Sequence, residues 1–147
     1  MPMTDSLTAV IALVVAALLG AAIGAEREWR RHPGGLRSCA LVAAAACVFA
    51  RVAVVHAGGS PGAALGAIAT GVGFLGAGVI LRQGEHVRGL STAATFFAVA
   101  ALGTAVGLDE YSQAIGLTLV VFFAHVGLRS LSSWIGRVAP PEDEGPR

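Results

Sequence analysis

Five segments of this chain lack Asp, Glu, Lys and Arg over lengths that a water-solvated domain rarely tolerates. They are 6–25 with 20 residues, 52–81 with 30, 89–108 with 20, 111–128 with 18, and a shorter 38–50 that ends at Arg51. A helix needs about 20 apolar residues to cross about 30 Å of hydrocarbon, so these segments make five crossings and leave little chain over. Hydrophobic residues make up 55% of the sequence and charged ones 13%, which is a bilayer composition. A soluble enzyme with its own water-filled cleft is excluded. The expected fold is all-α: a polytopic membrane bundle of about five transmembrane helices.

The spans are placed at 7–28, 36–56, 61–81, 89–107 and 111–131. All ten basic residues are Arg, and their distribution sets the orientation. Arg27, Arg30, Arg31 and Arg37 lie between spans one and two, Arg82 and Arg88 between three and four, and Arg129, Arg137 and Arg147 at or after the end of span five. The connectors around 58–60 and 108–110 carry none. By the positive-inside rule the amino terminus is expected outside and the carboxyl terminus in the cytoplasm. The start, Met1-Pro2-Met3-Thr4-Asp5, lacks the basic region of a secretory signal, so the first apolar segment reads as a retained span. Residues 1–138 form the expected membrane domain and 139–147, rich in Pro and acids, a disordered cytoplasmic tail. Cys39 and Cys47 both fall in the second apolar segment and imply no disulfide framework.

Small residues let membrane helices approach closely. Ala12, Ala16, Gly20 and Gly24 repeat at four-residue spacing in span one, Gly58, Gly62, Gly66 and Thr70 lead into span three, and Gly103 and Gly107 end span four. Packing within the bundle is one reading; a homo-oligomer seam is the other. Gly71-Val-Gly73-Phe-Leu-Gly76 matches the dinucleotide fingerprint by letter, but a charge-free run offers neither the preceding strand nor the acid about 20 residues on that the motif needs. The crowding of Gly71, Gly73, Gly76 and Gly78 carries more weight, since each glycine costs about 1 kcal/mol of helix propensity relative to alanine. It suits either close helix packing or a locally unwound span of the kind that offers carbonyls to an ion.

The connector from Glu26 to Arg37 holds both signs of charge beside the interfacial Trp29. Glu26 and Arg30, and Glu28 and His32, are four apart and able to pair on one helix face; Pro33, Gly34 and Gly35 stop the helix. This segment serves either orientation and headgroup contact or a binding surface shared with Arg82, Glu85 and Arg88. Arg51 stands about 21 Å up its helix from Arg37, near enough to the outer surface to snorkel. His56 and His125 lack metal-ligand spacing and read as interfacial or packed residues. Ser91 and Thr95 share a face of span four, where hydroxyls commonly bond back to their own helix.

These residues have a family likeness. Gly24-Ala-Glu-Arg-Glu28, then Pro33-Gly-Gly-Leu-Arg37-Ser, followed by Leu41-Val42, resembles the first signature of the MgtC/SapB family of bacterial membrane proteins. Gly71-Val-Gly-Phe-Leu-Gly-Ala-Gly78-Val-Ile80, followed by Val87-Arg-Gly-Leu-Ser91-Thr-Ala-Ala94, resembles the second. The resemblance covers nearly the whole chain. It implies a multi-pass protein of the bacterial inner membrane, with about five spans and a link to magnesium homeostasis. Carried over by position, the motif residues are Glu26, Arg27, Glu28 and Arg37 in the first signature, and Gly71, Gly73, Gly76, Gly78, Arg88, Gly89, Thr92 and Ala93 in the second. The chain departs from the family pattern at Gly34 (usually Ala), Cys39 (often His), Ser91 (Thr) and Phe97 (Trp). Ala63 and Ala67 stand where Arg and Gln are typical. Many members continue into a soluble domain resembling ACT domains, which is not expected after the tail here.

The first expectation is a non-enzymatic protein of this type, without cofactor or resident metal, acting through contacts with another membrane protein and through its charged cytoplasmic surface. The lipid bilayer is its medium, a second copy is a further expected contact, and nucleic acid is not a partner. The alternative is a carrier for magnesium or another cation with its site at segment 71–78. Magnesium binds oxygen ligands and dehydrates reluctantly, yet every Asp and Glu lies at a predicted membrane edge or in a terminus. A third reading, an anion-channel dimer using Arg51, requires opposed protomers, against which the Arg bias speaks.

Overall fold

The computed structural model describes the backbone of residues 3–56, 61–83 and 86–138, and within them the side chains of 6–54, 62–80 and 87–127. Five helices account for most of it: α1 (Met3–Trp29), α2 (Leu36–His56), α3 (Pro61–Val79), α4 (Leu90–Gly107) and α5 (Tyr111–Val138). The expected tail at 139–147, together with Gly58 and Glu85, lies outside the described residues.

Among the described residues, four helices contain segments long and apolar enough to cross a membrane: Ser6–Trp29, Leu36–Val54, Gly62–Val79 and Leu90–Gly107. The described part of α5 is apolar over Tyr111–Gly127, and the helix runs on to Val138. The fold is all-α apart from one feature that periodicity did not reveal. Leu81–Gln83 (β1) and His86–Arg88 (β2) pair antiparallel, with Leu81 opposite Arg88 and Gln83 opposite His86. This ribbon ends α3 two residues before the expected boundary. It gives backbone amides partners where the chain leaves a helix near the membrane edge. Gly89 then turns the chain into α4 at φ 92°, and a Cβ there would strike the carbonyl of Val79.

α4 is the central helix and touches each of the other four. Half of its spanning window is buried, against 11% for α3. The packing is inside-out relative to a soluble bundle, because lipid solvates large apolar side chains and close approach rewards small ones. On α1, Leu7, Val10, Ile11, Val14 and Leu18 point outward, while Ala12, Ala16 and Gly20 are buried against the bundle. A Cβ on Gly20 would come within 2.6 Å of the Cys39 carbonyl oxygen, and one on Gly107 within 2.6 Å of that of Cys47. The small-residue stripes of α1 and α4 therefore serve packing within the chain. Both cysteines are free and buried in this contact.

The α3 stripe does not follow suit. Gly62, Gly66, Thr70, Gly73 and Ala77 are all exposed, and a Cβ added at Gly62, Gly66, Gly71, Gly73 or Gly78 would meet nothing within 4 Å. Segment 71–78 is a continuous helix, so the unwound alternative does not describe it. Arg51 reaches toward the end of the bundle as expected and finds a partner that the sequence did not indicate: its Nη1 sits 3.0 Å from Oδ1 of the exposed Asp109, at the α4–α5 turn that the fold brings beside α2.

Candidate functional site: a buried arginine at the α1 terminus

The inward stripe of α1 runs through Ala16, Gly20, Ile23 and Gly24 and arrives at Arg27, which is 1% exposed. At this point α1 unwinds. His32 N–H donates to the Arg27 carbonyl at 3.0 Å and Arg31 takes φ 57°; Gly34 follows at φ 75°. A side chain at Gly34 would collide with the Phe96 ring at 2.8 Å and with Thr92 Cγ2 at 2.9 Å, so both conformation and space call for glycine there. The turn aims two carbonyls back at the guanidinium.

The fork is then filled donor by donor. Nε donates to the Gly34 carbonyl at 3.1 Å. Nη2 donates to the Pro33 carbonyl at 2.6 Å and to Thr92 Oγ1 at 2.8 Å. Nη1 donates to Thr95 Oγ1 at 2.9 Å and lies 3.5 Å from Nε2 of His125. The Thr95 hydroxyl in turn donates to its own helix at the Ser91 carbonyl, 2.8 Å away, and lies 3.1 Å from His125 Nε2. A guanidinium has five N–H donors in a rigid plane; four bonds go to these two carbonyls and two hydroxyls, and His125 stands beside Nη1. One cation thereby ties α1, the α1–α2 turn and α4 together, with α5 in contact through His125. With its donors engaged inside the protein, Arg27 acts as a strut and not as a receptor for a soluble anion.

The flanking acids have separate tasks. Glu26 forms the expected ion pair with Arg30, one turn on. Glu28 does not pair with His32 here: its Oε2 accepts the Leu36 N–H at 2.9 Å and caps the amino end of α2. Of the other motif residues, Thr92 joins the strut and Gly89 turns the chain into it. Gly76 packs near Ala93, 3.4 Å from that Cβ when given one of its own. Gly71, Gly73 and Gly78 stand apart on α3, and Arg37 and Arg88 are exposed. The side chains of Arg82 and Glu85 are outside the described residues, so their meeting with the first connector is not part of this site. Sequence reasoning missed Thr95 and His125 as partners of Arg27. The signal available was the stripe itself, since Arg27 follows Ile23 and Gly24 at helical spacing on the face whose other members are small and buried.

The two motif regions that converge on this strut are also those that carry family likeness. The sequence pattern of the MgtC family matches residues 13–134. This chain belongs to the MgtC family. Among its relatives, Protein MgtC of Salmonella typhimurium (strain LT2) is 43% identical over 136 residues, which cover 92% of this chain and 58% of that protein. An uncharacterized protein of Synechocystis is 43% identical over 124 residues, 84% of this chain and 53% of its own length. Protein MgtC of Brucella abortus (strain 2308) is 41% identical over 120 residues, 81% and 50% respectively. The chain thus spans little more than half the length of these relatives. No solved structure matches it.

Proposed function

We propose that this MgtC-family chain is a multi-pass, non-enzymatic protein of the bacterial inner membrane, linked to magnesium homeostasis, that acts by contact with another membrane protein. Its amino terminus is outside and its carboxyl terminus cytoplasmic, a reading that the Arg bias of the connectors supports. The magnesium link rests on the family resemblance. The observation that supports action by contact is the outward face of α3. Gly62, Gly66, Thr70, Gly73 and Ala77 follow one another at spacings of four, four, three and four, all exposed, with open space around the glycines. Glycine on a lipid-facing surface gives up helix propensity and gains no contact; against a partner helix it permits close backbone approach. The same kind of stripe on α1 is already used inside the chain.

The carrier reading draws less support. Its ligands are backbone carbonyls freed by unwinding at segment 71–78, and in a continuous helix the carbonyls of 71–75 are committed to the helix ladder while those of Gly76 and Ala77 accept the Ile80 N–H. Purified protein in liposomes with a magnesium gradient separates the two. The expected result is no protein-dependent flux, together with copurification of a membrane protein that Gly73→Leu abolishes. Flux that disappears in Gly76→Val would establish the carrier instead.

A further inference from the structure

α2 and α3 share few contacts, and between them lies an open groove of about 610 Å³. Its walls are Leu41, Ala45 and Phe49 on α2 and Ala67, Gly71 and Leu75 on α3, over a floor that includes the buried Ala46 and Val72. The volume is that of a small-molecule site, and every lining side chain is apolar. From Leu41 to Phe49 the slot rises about 12 Å along the helix axis.

A partner helix is a poor fit here. Helix association in lipid uses small residues that bring backbones together, and the rims of this groove are bulky: Leu41 is 70% exposed, Phe49 63% and Leu75 51%. The small stripe at Gly62, Gly66, Thr70, Gly73 and Ala77 lines none of it. A flexible hydrocarbon chain suits bulky rims and a narrow floor.

The ends of the groove differ in charge. Arg37 stands one helical turn before Leu41 on the same face of α2; it is exposed and makes no hydrogen bond or ion pair among the described residues. Arg88, also exposed, pairs in the ribbon with Leu81, two residues past the end of α3. The amino end of α2 is itself capped by the Glu28 carboxylate, so the charge offered to a head group at this level is that of the arginines. At the other end the nearest arginine, Arg51, is turned to Asp109. Cation at one mouth and hydrocarbon beyond it is complementary to a lipid with an anionic head.

We propose that the α2–α3 groove binds one acyl chain of an anionic phospholipid, whose phosphate is held at Arg37 at the cytoplasmic mouth. The assignment to the cytoplasmic leaflet rests on the orientation proposed above. Recognition uses the arginine–phosphate geometry that fixes head groups between membrane helices.

The test is native mass spectrometry of the full chain in neutral detergent with equimolar dioleoyl phosphatidylglycerol and dioleoyl phosphatidylcholine. Single-lipid adducts of phosphatidylglycerol are expected to exceed those of phosphatidylcholine by about fivefold for each arginine engaged. Arg37→Gln should lower the preference by about the same factor. Ala67→Phe, which fills the slot from the lipid side, should remove the retained lipid, while Val14→Phe on the outer face of α1 leaves it in place. Equal retention of the two lipids by the native chain, or undiminished preference in Arg37→Gln, would overturn the proposal. So would a dimer dissolved by Ala67→Phe in place of lipid adducts, which would assign the groove to a second copy. The measurement is blind to orientation in the membrane, so an inverted topology would leave the lipid preference intact.

Discussion

Arg27 and Arg51 are both held by groups of the protein, and their surroundings give them unequal weight. Arg27 is 1% exposed and its hydrogen bonds are charge-assisted, each of a kind that contributes about 1.5–3 kcal/mol. Removing it takes the charged donor away from two carbonyls and two hydroxyls and leaves them to weaker partners: Thr92 Oγ1 with Pro33 at 3.4 Å, Cys39 Sγ with Gly34 at 3.4 Å, and Thr95 with its own helix. Arg27→Met is therefore expected to lower unfolding free energy in detergent by about 3–5 kcal/mol, with Arg27→Lys in between, because an ammonium keeps the charge without the planar fork. Arg51 is held by Asp109, whose side chain is 65% exposed. Asp109→Asn should cost under about 1 kcal/mol, measured in the same thermal or denaturant titration. The sequence displayed Arg51 as the conspicuous charge, since it alone interrupts an apolar run, and hid Arg27 among the charges of a connector. What distinguishes them is the course of the chain at Pro33 and Gly34, a fold-back that no periodicity encodes.

The helices show the same division between what patterning reveals and what contact decides. Existence and type of all five were legible, because a charge-free run of membrane length admits little else. The pairing of β1 with β2 was not, since strands of three residues each are too short to show an alternation. The three small-residue stripes looked alike in sequence and differ in use. Gly103→Val, whose side chain would meet the Ala43 backbone, should destabilise by at least about 2 kcal/mol or prevent folding. Gly73→Leu, with open space around it, should leave unfolding within about 0.5 kcal/mol of the native chain while abolishing copurification of a partner. α5 is attached through His125 at the strut, its polar tie to the other helices among the described residues. His125→Phe is expected to speed amide exchange over Tyr111–Gly127 without a comparable change in α1 or α2; unchanged exchange there would show that apolar packing alone holds the helix.

For the whole molecule, orientation and contact are the properties that matter. The buried Cys39 and Cys47 should stay silent toward an impermeant maleimide, so introduced cysteines report topology on the native background. In spheroplasts Glu110→Cys is expected to label and Arg37→Cys to label only after lysis; the reverse would invert the bundle. Composition made the membrane legible from sequence and the Arg distribution offers an orientation to test, whereas the direction in which each small face points required the packed structure. Action by contact is best tested by a photo-crosslinking residue placed at Gly73 in growing cells, compared with the same residue at Val14 on the lipid-facing side of α1. A discrete protein adduct from position 73, absent from position 14, is predicted. Lipid adducts alone from both positions would contradict the assignment of α3 as a contact face.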